Sequence, residues 1–388
     1  MELILKQYDI PLLRFSATND SSTPEIEVHW INEDQRHLLP LDMELSPEGI
    51  SRWMRRRTIP RNRAYVNRLL AKCGLNANRP MGILALCKGL SVDDSYWVVE
   101  EGFEGTFEKY NLFENRFSEV LALIAFTGYG SSNRSSLASS PEFTTNGMLP
   151  KCWRRISGKV TLYKGGTDGG YNTGAEPYCE HYAAQVAAAM GIDAIPYGLS
   201  QWKGRLCSTC ELFTDIDHAY MPIGNLVQRG GFDAVAAYYE NLGEPFQKAF
   251  RDMLVFDAVI CNTDRRYGNF GFMIDNKTNT IAAPAPLFDH GNSLFNQAGP
   301  EDYESPEAFQ QYIDTLVPCV YDDFFATAKR FMTDENREQL RKLLGFRFKR
   351  HVRYNLPPKR LKLMEEQVRK RAMRLLEREL ENANISHI

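Results

Sequence analysis

Residues 261–294, CNTDRRYGNFGFMIDNKTNTIAAPAPLFDHGNSL, constrain this chain more than any other stretch. An apolar helix leads into them: Phe246, Phe250, Met253, Leu254, Ala258 and Cys261 recur at helical spacing. It runs straight into the polar turn Asn262-Thr263-Asp264, and Asn269 follows in the same loop. Phe270 to Ile274 and Thr280 to Ala283 read as the arms of a hairpin closed by Asp275-Asn276-Lys277-Thr278-Asn279. Leu287-Phe288-Asp289-His290-Gly291 comes next, so the chain doubles back and returns a second carboxylate toward the first loop.

Asp and Asn at such a spacing occur in many surface turns. The preceding helix, the hairpin and the Phe288-Asp289-His290-Gly291 tetrapeptide make the pattern more specific. Phosphoryl transfer needs a carboxylate beside the attacking hydroxyl. It also needs oxygen ligands for magnesium, which offsets charge on the phosphates. Asp-x-x-x-x-Asn followed by hydrophobic-Asp-x-Gly supplies both. Asp264 is then the expected catalytic carboxylate, with Asn269 and Asp289 on magnesium and ATP as donor. The cation for the phosphates is expected from Lys164, at the end of the strand Val160-Thr161-Leu162-Tyr163, braced by Glu180 in the next helix. Glu180 shares a face with Ala183, Ala184 and Ala187, whose small side chains leave room for its carboxylate to turn inward. Without the downstream motif, Lys164 reads as a solvated turn lysine and Glu180 as a surface residue. Asp257, on the apolar side of the helix, either holds the loop by bonding its amides or is exposed. His290 reads as solvent-facing rather than as a phosphate contact.

A length of 388 residues and a 43% hydrophobic content permit two lobes and exclude wholesale disorder. Net charge is −3, so no global field points to nucleic acid. Charge is uneven: residues 341–374 carry 13 Lys or Arg, and Arg52, Arg55, Arg56, Arg57, Arg61 and Arg63 form a second cluster. The first has Phe346, Phe348, Tyr354 and Leu361 among its cations, a mixture that suits nucleic acid but is commoner on an amphipathic helix with a solvated basic face. The arginine cluster is read the same way. Eight scattered cysteines suggest reduced thiols, and Cys207 and Cys210 have no second pair at zinc spacing. The N-terminus lacks the pattern of a signal peptide, and no apolar run is long enough to span a membrane. A cytoplasmic location is the expectation.

Asn262-Thr263-Asp264-Arg265-Arg266-Tyr267-Gly268-Asn269-Phe270-Gly271 resembles the signature N-T-D-R-H-x-x-N-F-G of the HipA-like Ser/Thr kinases, relatives of the phosphatidylinositol 3/4-kinase fold. Arg266 stands where the family usually has histidine. Glu180-His181-Tyr182, ahead of Gly191, resembles the family's glutamate-bearing helix, and Cys210-Glu211-Leu212-Phe213 its hinge, with leucine replacing arginine. The resemblance implies an adenine held by backbone near Glu211 and Phe213, and a phosphate-covering loop in the place of residues 144–151, where the match is loose.

The expected fold is α+β, two-lobed and kinase-like, related to the phosphatidylinositol 3/4-kinase fold, with a mostly helical C-lobe. Residues 1–115 are expected as an accessory region, 116–213 as the N-lobe and 214–388 as the C-lobe. Glu25 to Ile31, Ala194 to Leu199 and Leu206 to Phe213 read as strands. Phe113 to Phe126 and Glu176 to Met190 read as helices, and Ser46-Pro47-Glu48-Gly49 as a helix start. The serines at 131, 132, 135, 136, 139 and 140 read as a linker, with phosphate acceptance in cis as the other reading. A protein serine or threonine is the expected acceptor. The alternatives are a lipid or small-molecule kinase of the same fold, and a non-catalytic toxin–antitoxin-type regulator that binds protein or nucleic acid.

Overall fold

The computed structural model describes residues 1–18, 24–130, 140–169 and 174–377. The chain forms two compact units. The first comprises Met1–Lys164, Glu211–Met221 and Phe272–Ala282; the second comprises Gly165–Cys210, Pro222–Gly271 and Ala283–Ile388. No described helix is long and apolar enough to cross a membrane.

The first unit is built on an antiparallel sheet of four strands, in the order Ile26–Ile31, Ile10–Ala17, Glu2–Gln7 and Tyr96–Glu100. Alternation decides its faces. Leu3 and Leu5 lie opposite Phe15 and Leu13, and pack with Trp53 and Met54 of the helix Pro47–Arg56 and with Met81 and Leu84 of the helix Pro80–Cys87. Ser46 caps the first of these helices, its hydroxyl accepting from the Gly49 amide, as the sequence predicts. Trp97 and Val99 point the other way, into a second core with Leu90, Phe107, Trp153 and Val160.

The hairpin Lys151–Ile156 and Lys159–Gly165 turns at Ser157 and Gly158, both at positive φ, the geometry a two-residue turn requires. It places Lys164 opposite Lys151, and each is 7% exposed, so Lys164 is not a solvated turn lysine. The hairpin Gly271–Asp275 and Thr280–Pro284 forms a three-stranded sheet with His218–Pro222. Its tip is pinned by two asparagines. Asn279 Nδ2 donates to the carbonyls of His37 and Leu39, and Asn276 Nδ2 to that of Ile216.

Two expectations for the basic residues change here. Arg57 and Arg63 are buried rather than solvated. Arg57 grips Asp94 with two bonds of 2.6 and 2.7 Å and lies over the Trp53 ring, while Arg63 pairs with the buried Glu142. Glu142 also accepts from the Trp153 amide. Residues 144–151 are tied down by the same network: Thr144 Oγ1 donates to Leu90 O, and Lys151 Nζ to Asn146 O. Of the serine-rich segment, 131–139 lie outside the described residues; Ser140 is buried, with its hydroxyl accepting from the Glu142 amide.

Asp93 carries a pH dependence. Burial, and then the neighbouring Asp94 carboxylate, push its pKa up to about 6, against the opposing effects of Ser91 and Arg57. A carboxyl whose folded pKa exceeds its unfolded one favours folding only while protonated, so stability falls as pH rises from about 4 to about 6. Asp93→Asn is therefore expected to flatten that fall and to melt higher than the parent at pH 7.5, with little difference at pH 4. Parallel thermal melts at the two pH values check it; equal pH slopes in both proteins would rule it out.

The second unit contains the helix Glu176–Met190, closed by Gly191 at φ 81° as expected, and the long helix Glu244–Ile260. The helices Phe324–Phe331 and Pro358–Leu376 pack on the latter. Much of the basic C-terminal stretch serves to close backbone carbonyls. Lys342 bonds Met190 O, Arg369 bonds Phe346 O, and Arg371 bonds Ala258 O. Phe346, Phe348 and Leu361 are buried beneath it, which fits the amphipathic reading.

Candidate active site

The helix Glu244–Ile260 ends because Cys261 adopts the left-handed conformation, φ 53°, with its amide on Asp257 O. The chain then turns through Asn262, whose Oδ1 accepts from the Asp264 amide at 3.1 Å. Beneath this turn lies a buried ion pair. Asp257 (0% exposed) takes Arg265 Nε and Nη2 at 2.9 Å each, and Asn262 Nδ2 at 3.1 Å. Asp257 therefore holds the loop from behind, through an arginine and an asparagine side chain rather than by its carboxylate bonding loop amides.

Arg265 does more than neutralise Asp257. Its Nη1 donates to Asn269 O at 3.2 Å and to Phe288 O at 2.7 Å, and its Nη2 meets His290 Nδ1 at 3.1 Å. One buried guanidinium thus ties the helix end, the Asp264–Asn269 loop and both neighbours of Asp289. The planar fork of arginine suits this spread of acceptors, and lysine could not reproduce it. The sequence marks Arg265 only as the arginine of the Asn-Thr-Asp-Arg signature and carries no local sign that its side chain is buried.

The return strand is placed independently. Ala194 and Leu287 form a parallel bridge, with Ile195 N on Leu287 O and Leu287 N on Asp193 O. The strand expected from Ala194 accordingly begins only at Gly198, because residues 193–195 pair with this segment instead. Asp289 sits at φ 57°, its amide donating to Tyr197 Oη at 3.1 Å. Tyr197 stays a neutral phenol: burial, then the charges of Glu180, Cys210 and Asp289, hold its pKa well above the usual range. The His290 amide donates to Glu180 Oε2 at 2.8 Å, and its ring is buried against Phe256 and Arg265. His290 is not solvent-facing, because Arg265 and Phe256 draw its ring inward.

Above this buried layer stand the three polar residues expected to do chemistry, all of them partly exposed. Asn269 Nδ2 donates to Asp264 O at 3.1 Å, which fixes the amide and leaves Oδ1 as its acceptor. Asp264 Oδ1 pairs with Arg266 Nε, and Oδ2 accepts from Asn292 Nδ2 at 3.0 Å. The structure therefore gathers Asp257, Asp264, Asn269, Asp289 and Glu180 within the second unit. Lys164, Glu211 and Phe213 belong to the first. There, Glu211 is an exposed partner of Lys159 at 2.8 Å, the Leu212 amide donates to Val160 O, and Phe213 meets the Tyr220 ring edge-on.

No family model matches the sequence, and no curated protein matches it either. Solved structures do match. The Helicobacter pylori proinflammatory kinase CtkA is 15% identical, covering 61% of this chain and 93% of its own, with a TM-score of 0.49. The HipA of the Shewanella oneidensis toxin–antitoxin complex of HipA, HipB and operator DNA is 13% identical. That match covers 96% of this chain and 97% of its own, with a TM-score of 0.52. The chain has a HipA-like fold. It is a mixed α/β fold, and a match over 96% of the chain takes in most of the first 115 residues, which hold none of the motifs quoted above. The two residues expected on magnesium, Asn269 and Asp289, offer an amide oxygen and a carboxylate, the hard-oxygen chemistry that magnesium prefers over zinc.

Proposed function

We propose that the chain is an ATP- and magnesium-dependent phosphotransferase of the HipA type that acts on a protein serine or threonine in the cytoplasm. The observation that carries this reading is Arg265, whose guanidinium gathers the Asp264–Asn269 loop and the Asp289 segment around one buried point. Asp264 orients the acceptor hydroxyl and takes its proton as the oxygen bonds to the γ-phosphorus and the bridge to ADP breaks. Asn269 and Asp289 would hold magnesium, which supplies charge neutralisation on the phosphates. Lys164 and Glu180 keep the roles the sequence assigns them, as do the backbone groups near Glu211 and Phe213 for adenine. The division into accessory region, N-lobe and C-lobe belongs to the same proposal, as does phosphate acceptance in cis by the serine-rich segment.

Calorimetric titration with a non-hydrolysable ATP analogue tests it. Binding is expected to need magnesium, and Asp289→Asn is expected to remove most of that dependence, weakening affinity at least about tenfold. Affinity unchanged by chelation, or by the substitution, would overturn the metal assignment. The alternatives differ in their acceptor and in nucleotide binding itself. Transfer to a lipid or small molecule instead of protein would favour the wider kinase fold. Absence of nucleotide binding would favour a non-catalytic regulator, in line with the company HipA keeps with HipB and DNA in the Shewanella complex.

A further inference from the structure

The Arg265-Arg266 pair is split between two environments: Arg265 has 1% of its side chain exposed and Arg266 has 64%. Arg266 is nevertheless fixed. Its amide donates to Asp264 O at 2.8 Å, its carbonyl accepts from Asn269 N at 2.8 Å, and its Nε pairs with Asp264 Oδ1. Its backbone is thus locked between the main chains of Asp264 and Asn269, and one edge of its guanidinium is anchored on the Asp264 carboxylate. The outer edge, Nη1 and Nη2, makes no hydrogen bond among the described residues. A planar two-donor edge matches a carboxylate or phosphate with paired bonds.

We propose that Arg266 is a specificity-determining residue that reads an anionic side chain beside the acceptor hydroxyl, so that the protein acceptor carries Glu or Asp next to its serine or threonine. This rests on the reading of the chain as a protein kinase and names its substrate class. The anchoring on Asp264 gives the reason for the position: a group bound to the outer edge of Arg266 is held within one guanidinium of the proton-accepting carboxylate. A peptide with lysine or arginine there would meet like charge.

Direct binding tests this apart from turnover. The probes are two fluorescein-labelled nonapeptides, one with a central serine flanked by glutamates and one with glutamines in their place. Anisotropy titrations use the full-length protein at low salt. The parent is expected to bind the acidic peptide about tenfold more tightly than the neutral one, as a charge-assisted paired contact would give. Arg266→Ala is expected to abolish the difference and Arg266→Lys to keep only part of it. Equal affinities in the parent, or a preference that survives Arg266→Ala, would overturn the proposal. Retained ATP–magnesium binding in the same preparations locates such a failure in the acceptor assignment rather than in the kinase reading, and verifies that the variants are folded.

Discussion

Replacing Asp264 by asparagine is expected to lower turnover by about 10²–10⁴-fold while ATP–magnesium binding persists, because a positioned proton acceptor contributes on that scale. Asp264 is held by two side-chain donors, Arg266 Nε on one oxygen and Asn292 Nδ2 on the other. An amide presents an acceptor to only one of them, so the variant loses a charge and also one hydrogen bond, worth about 1 kcal/mol. A small drop in melting temperature is expected, far less than the catalytic loss implies. Asn269 and Asp289, the proposed metal residues, remain. Single-turnover kinetics alongside nucleotide titration check the pair of outcomes. A collapse of binding together with turnover would make Asp264 a metal or structural residue.

The largest stability effect is expected at Arg265. Arg265→Ala would strand the fully buried Asp257 carboxylate, and breaking a buried pair on one side typically costs about 3–5 kcal/mol. For a unit of this size each kcal/mol moves the melting temperature by about 2–4 °C. Arg265→Lys is expected to recover little, since an ammonium cannot reach Asp257, Asn269 O, Phe288 O and His290 together. The double change Arg265→Met with Asp257→Leu separates two roles. Removing both charges is expected to restore much of the stability, while activity stays low because nothing then ties Asn269 to Phe288. Full activity in the double variant would mean that the pair only fills space.

The partly exposed residues of the candidate site could be proposed from sequence because their chemistry is local: a carboxylate and an amide at fixed spacing, then a second carboxylate after a hairpin. Helix ends were legible where one residue decides them, as with Ser46 and Gly191. What escaped was everything settled by a distant partner. His290 read as solvent-facing and Arg265 only as part of a signature, yet each is buried against groups supplied by other elements. The helix expected from Phe113 begins only at Glu119. Asn111 Oδ1 accepts from the amides of Phe113 and Glu114, and Ser118 caps the helix start beyond them. Arg57 and Arg63 looked like one basic face with their neighbours, and only the fold reveals the carboxylates of Asp94 and Glu142 beside them. Charge patterning in a sequence records the cations but not the pairing.

The interleaving of the two units has a consequence for synthesis. The first unit needs Phe272–Ala282, whose Asn276 and Asn279 bond the carbonyls of Ile216, His37 and Leu39. The carbonyls of His37 and Leu39 leave the ribosome long before the asparagine that satisfies them is translated, so the first unit, although its four-stranded sheet ends at Glu100, cannot be completed in the order in which it is made. The nascent chain must hold these carbonyls without their asparagine partner while much of the second unit emerges. Chaperone demand should therefore concentrate in that interval, and a fragment cut anywhere before residue 282 should be poorly soluble even though it contains the whole four-stranded sheet.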